Sequence, residues 1–211
     1  MIIIGIIIAV IAIIAVAFVG GVFNQTQTTK FDTEFMSGAF VGNVSLNKSI
    51  ENSTSLYIDK NNKISYNLST MDNSSALMVI YKYQGVRGPD YRTYNGNNWT
   101  IYFAQAMPVL SNASNQSANQ SVKPMGIVIC ECQKEKQGYV VYVVFEDADN
   151  FTLNTFSNSY IAFVEPLLKS ISLKESKNVP AVYEKFGLSN SSFYSQIKLM
   201  QKAINGNYSS S

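Results

Sequence analysis

The chain contains no histidine. That absence excludes Ser-His-Asp and Cys-His nucleophile activation, imidazole acid-base work near neutrality, and the common zinc sites. Carboxylate pairs, Ser-Lys dyads, or no chemistry at all remain. Charge is also scarce: 14% of the 211 residues are charged and the net charge is +2. Bulk electrostatics therefore point to neither a nucleic-acid partner nor an acidic substrate. No Gly-rich phosphate loop is present. The two cysteines, Cys130 and Cys132, stand two apart in an apolar run. On a strand they share a face, and a disulfide between them would need a strained loop, so they read as buried, packing thiols. No cofactor, metal ligand set or catalytic group is expected.

What the sequence does have begins at its amino end. Residues 1–29 carry no charged side chain, and from Ile2 to Phe23 the run is nearly all Ile, Val, Ala and Gly. As a helix it would span about 33 Å, which matches a hydrocarbon core of about 30 Å. Its length exceeds the usual apolar region of a secretion signal, so it reads as an uncleaved membrane anchor in contact with lipid. Ala15-Val16-Ala17 and Gly20-Gly21 also fit a small-residue cleavage site, so cleavage is the alternative, although the run lacks the basic residues expected ahead of a signal peptide or a signal anchor.

Basic residues do not set the topology, because Lys30 is offset by Asp32 and Glu34. Glycosylation triplets do. Thirteen N-x-S/T matches occur, at Asn24, Asn43, Asn47, Asn52, Asn67, Asn73, Asn98, Asn112, Asn115, Asn119, Asn150, Asn190 and Asn207. An Asn- and Ser-rich chain produces some by chance, but their spread over the whole polar part favours an extracytoplasmic domain. Asn112, Asn115 and Asn119, in a Ser/Asn/Gln-rich loop over 111–121, are the candidate glycosylation sites.

The order of elements predicts an α+β domain. Residues 24–35 read as a polar stalk, 36–174 as the domain, and 175–211 as a C-terminal helical appendage. Within the domain, Ser55–Ile58 and Ile64–Leu68 bracket the turn 59–62 as a hairpin. Asp72-Asn73-Ser74-Ser75 caps a helix carrying Ala76, Leu77, Ile80 and Tyr83, ending near Gly85. Asn95-Gly96 between alternating aromatics marks a second hairpin around Trp99, the only tryptophan. Met125–Cys132 and Tyr139–Phe145 form a third, at the centre of the sheet. The last of these strands is apolar on both faces, so both faces should be covered, one of them by helices. Phe156, Tyr160, Phe163, Val164, Leu167 and Leu168 supply a helical stripe, and Phe193, Ile197, Met200 and Ile204 another, stopped by Gly206. The two terminal helices invite comparison with a DNA-reading pair, but that end has no arginine and follows an export segment, so no nucleic acid is expected.

Arg87 and Arg92, the only arginines, lie near Asp90 and are the candidate contacts for an anionic ligand. Glu146, Asp147, Asp149 and Asn150 suggest calcium in part, but Thr152 and Asn158 stand where an EF-hand has Gly and Glu, so a solvated strand end is favoured. The order hairpin, helix, hairpin, long hairpin, then a closing helix Val164-Glu-Pro-Leu-Leu-Lys-Ser-Ile171 resembles the PsbP and Mog1-like α/β/α sandwich over residues 36–174. It also resembles anchored surface proteins of methanogenic archaea that carry such a domain. The resemblance implies a non-enzymatic binding or assembly module with a cell-surface protein or ligand as partner. The alternatives are a cell-surface hydrolase using carboxylates and a pilin-like filament subunit.

Overall fold

The structure, a computed structural model, describes residues 27–106, 125–146 and 157–207. The apolar run 2–23, the loop 111–121 with Asn112, Asn115 and Asn119, and the acidic residues Asp147 and Asp149 lie outside them. Among the described residues no helix is long and apolar enough to cross a membrane.

The described chain is α+β, with every strand pair antiparallel. A small sheet is built from β1 (Thr28–Asp32), β2 (Met36–Val41) and β10 (Ser172–Leu173) in the order β1-β2-β10. The large sheet has seven strands: β3 (Val44–Ile50), β4 (Thr54–Asp59), β5 (Ile64–Met71), β6 (Arg87–Tyr94), β7 (Asn97–Ala106), β8 (Met125–Lys134) and β9 (Gln137–Phe145). Their order is β3-β4-β5-β9-β8-β7-β6. Two meanders thus meet where β5 pairs with β9, and helix α1 (Ser75–Tyr83) carries the chain from β5 to the far edge at β6. The strand with apolar residues on both faces, β9, is the middle strand, as its sequence predicts.

The pleat of β9 divides the core in two. Tyr139, Val141, Val143 and Phe145 face a first cluster, closed by Phe31 and Phe40 of the small sheet and by Leu167, Leu168 and Ile171. Leu167 and Leu168 come from α2 (Glu165–Ser170), which continues from a five-residue π turn at Tyr160–Val164 and has Pro166 near its start. Val140 and Val144 face a second cluster, closed by Ala76, Leu77 and Ile80 of α1, by Val182 of a short 3-10 turn (Val182–Phe186), and by Phe193, Ile197 and Met200 of α3 (Asn190–Asn207). Cys130 and Cys132 are buried free thiols on the first face. Burial pushes the Cys132 thiol up to about 11 and Cys130 further.

Four sequence expectations are corrected. Residues 28–32, read as stalk, form β1 because Phe31 packs against Phe40 and Tyr57, with ring centroids 4.6 and 5.9 Å away. The segment 175–211, read as an appendage, instead supplies Val182, Phe193, Ile197 and Met200 to the second core. Helix α3 runs through Gly206 to Asn207. The cap at α1 is not made as expected: Ser74 is the N-cap residue, but its hydroxyl makes no cap bond.

That hydroxyl is diverted to a buried carboxylate. Ser74 Oγ donates to Glu131 Oε1 at 2.5 Å, and Ser74 N donates to Gln133 Oε1 at 2.9 Å. Glu131 is 2% exposed and also takes a side-chain hydrogen bond from Thr100. Burial raises its pKa, and the bonds from Ser74 and Thr100 only partly oppose the rise. Gly138, on the neighbouring strand, leaves room for this serine: a Cβ there would lie 2.1 Å from Ser74 Oγ and 2.7 Å from Ser74 N.

Leu168 is fully buried where α2 closes the first cluster. Leu168→Ala is expected to cost about 2–5 kcal/mol through lost transfer energy and the cavity left behind. Urea unfolding should show a lower midpoint with the same slope.

Candidate functional site

A groove of about 360 Å³ lies between the turn that follows β1 and the β3–β4 hairpin. Its lining is Asp32, Thr33, Glu34, Leu46, Ser49, Asn52, Ser55 and Tyr57. Local hydrogen bonds set each wall. Thr33 Oγ1 accepts from Phe35 N at 3.3 Å and Met36 N at 3.0 Å and donates to Met36 O at 2.8 Å, so the chain folds back tightly from β1 into β2. This puts Asp32 and Glu34 on one rim. Lys174 Nζ bonds to Asp32 Oδ1 and donates to Thr33 O at 2.9 Å, so one of the two rim carboxylates already has a cation.

The opposite wall is a two-residue turn. Ser53 N donates to Ile50 O at 3.2 Å, and Glu51 and Asn52 hold φ values of 49° and 53°. Left-handed backbone at both positions matches the right-handed twist of a hairpin and is commonly supplied by Asn-Gly or Asp-Gly. Here it is held by residues with side chains, at an energetic cost that Asn tolerates better than Glu. The turn projects Asn52 to the groove from an exposed position. Ser55 and Tyr57 follow on β4, with Tyr57 8% exposed against Phe31 and Phe40. Burial raises the Tyr57 pKa; a hydrogen bond with Ser55 opposes that and the Asp32 charge adds to it. Tyr57 is therefore a neutral phenol at physiological pH. Leu46, 56% exposed on β3, completes the apolar part.

Behind the same turn lies a Ser-Lys contact. Lys185 Nζ, from the 3-10 turn, donates to Ser53 Oγ at 2.6 Å, Thr54 Oγ1 at 2.8 Å and Ser53 O at 3.4 Å. Burial pushes its pKa down to about 8, against the pull of Glu51 and Glu184. Ser53 is 2% exposed, so its hydroxyl presents no face to a substrate, and three oxygens satisfy the ammonium. The arrangement fits an anchor between the 3-10 turn and the hairpin. Its pH signature has a definite sign. Below about pH 8 the amine is charged in folded and unfolded chain alike, and burial disfavours the folded state. As pH rises from about 8 toward the unfolded value of 10.5, the folded state loses its proton first and gains stability. Lys185→Met is expected to abolish that rise, read as urea midpoints across this window.

The sequence-predicted site residues are placed differently. Arg87 and Arg92 are both exposed on the edge strand β6. A bulge between Arg87 and Asp90 sets them opposite Phe103 and Trp99, four residues apart on β7 and about 13 Å along the strand. Arg92 Nη2 bonds Asp90 Oδ2 at 3.1 Å, and both side chains are about half exposed, 52% and 53%. An exposed pair of this kind contributes little. Of the triplet asparagines, Asn43, Asn47, Asn52, Asn98 and Asn190 are exposed, whereas Asn67 and Asn73 are half-buried. Glu146 accepts from Ser65 Oγ at 3.2 Å. Among the described residues no group of three or more Cys, Asp or Glu is placed to hold a metal ion.

No known protein family matches this chain, and no curated protein matches it. Among solved structures, it is similar to a crystal structure from Bacteroides thetaiotaomicron VPI-5482 with a TM-score of 0.46 and 7% sequence identity. That match covers 72% of this chain and 51% of the other, so the chain spans about half the length of that structure.

Proposed function

We propose that this chain is a membrane-anchored extracytoplasmic binding or assembly module with no catalytic activity of its own. One observation carries the reading: a charge-free apolar run from Ile2 to Phe23 precedes a polar part rich in glycosylation triplets. The apolar run contacts membrane lipid, the single span leaves the bulk of the chain outside, and the partner is a surface protein or ligand. The finer architecture is an α/β/α sandwich of the PsbP and Mog1 kind, as in anchored surface proteins of methanogenic archaea. The two apolar clusters on opposite faces of the seven-stranded sheet support it. The binding site is the groove beside the β3–β4 hairpin, whose volume falls in the range of ordinary ligand sites.

The carboxylate hydrolase is the second reading, because Asp32 and Glu34 both line that groove. It is the weaker one, since Lys174 already holds Asp32. Fractionation tests the first reading. The full chain should sediment with membranes and resist alkaline carbonate; release by carbonate would reject an anchored module.

A further inference from the structure

The lining of the groove has a chemical signature. Ser49, Asn52 and Ser55 offer groups that both give and take hydrogen bonds, Glu34 is an acceptor, and Leu46 and Tyr57 supply apolar surface. Asp32 is paired with Lys174. A sugar presents hydroxyls of both senses and apolar C–H faces, which this mixed lining matches, with the Glu34 carboxylate as an acceptor. A source of sugar stands in the wall itself. Asn52-Ser53-Thr54 is an N-x-T acceptor, and its asparagine is exposed at the tip of a turn that projects it to the groove.

We propose that this groove is a saccharide seat and that its occupant is an N-linked glycan on Asn52 of the same chain. The inference rests on the extracytoplasmic reading, because only there does a chain meet N-glycosylation enzymes. In the attachment step the Asn52 amide nitrogen bonds to the anomeric carbon of a lipid-phosphate-activated oligosaccharide. The anomeric C–O bond breaks, its electron pair leaves with the lipid phosphate, and the amide gives up one proton. The first sugars then lie against Leu46 and Tyr57, with their hydroxyls on Glu34, Ser49 and Ser55. Other exposed acceptors, such as Asn98 and Asn190, do not line this groove.

The test uses the full chain, produced in a host that N-glycosylates its exported proteins. Peptide mass spectrometry then reads occupancy at Asn43, Asn47, Asn52, Asn98 and Asn190. Asn52 is expected to be occupied. Enzymatic release of its glycan from the folded protein should be at least about tenfold slower than in the exposed-rim variants Glu34→Ala and Leu46→Ala, the factor a modest docking free energy provides. An unmodified Asn52 beside modified Asn98 or Asn190 would overturn the inference and leave the extracytoplasmic reading standing. An absence of glycan at all five sites and at Asn112, Asn115 and Asn119 as well would overturn both. A glycan on Asn52 released equally fast from wild type and rim variants would show that the groove is not its seat.

Discussion

Gly138→Ala is expected to lower the unfolding free energy by about 3 kcal/mol, the upper part of the usual range for forcing an extra methyl into packed surroundings. The added Cβ would stand 2.1 Å from Ser74 Oγ, 2.4 Å from Ser74 Cβ and 2.7 Å from Ser74 N. The side chain of Ser74 can turn away only by abandoning Glu131, and its backbone nitrogen moves only if the start of α1 moves. A second substitution separates these contributions. Ser74→Gly on the Gly138→Ala background removes the two side-chain clashes and keeps the backbone one, so it should recover part of the loss. Guanidinium or urea unfolding of the four chains of this double-mutant cycle measures it. A loss within experimental error for Gly138→Ala alone would mean that β9 and α1 do not approach each other as described.

The second large effect is expected at Glu131. Its folded pKa is raised above the unfolded value, chiefly by burial. A group of that kind contributes stability that is full below its unfolded pKa and is lost as pH rises through its folded pKa. The wild-type chain should therefore lose stability through this residue as pH rises above the ordinary glutamate value and through the raised folded one. Glu131→Gln keeps an oxygen for Ser74 Oγ without a charge to desolvate. At neutral pH it is expected to be more stable than wild type by at least about 1 kcal/mol, the scale of a poorly compensated buried charge. At acid pH the two chains should converge. Urea midpoints as a function of pH read the difference, and parallel curves for the two proteins would contradict the assignment. Among the described residues no cation compensates the carboxylate: it accepts hydrogen bonds from Ser74 and Thr100, and Tyr81 and Tyr102 lie near it as neutral phenols.

The contrast between these two positions and the rest of the chain shows where sequence reading succeeds. Strand β9 was legible because seven consecutive apolar residues leave no solvent face, and it is the middle strand. The β6–β7 hairpin was legible from Asn95-Gly96, which adopt φ values of 49° and 72°. The β3–β4 turn carries no such mark: Glu51 and Asn52 take the same conformation without a glycine. Glu131 was hidden because it interrupts an apolar strand, and its partners Ser74 and Thr100 lie 57 and 31 residues away. The groove was invisible for a related reason. Its two walls, around residues 32–34 and 46–57, become neighbours only when Phe31 and Phe40 pack on Tyr57. Arg87 and Arg92 are close in sequence, and on the edge strand β6 they stand opposite Phe103 and Trp99 of β7.

The central claim is that the folded domain lies outside the membrane, held by the apolar run 2–23. The structure offers a clean reporter for it. Both native thiols are buried, Cys130 at 0% and Cys132 at 3% exposure, and burial keeps them protonated, so neither reacts in the folded protein. Lys60 is exposed in the turn between β4 and β5, so its replacement is expected to leave the fold unchanged. A Lys60→Cys chain treated on intact cells with a membrane-impermeant maleimide is expected to be labelled to the same extent as after lysis. Labelling that appears only after lysis would place the domain inside and contradict the account.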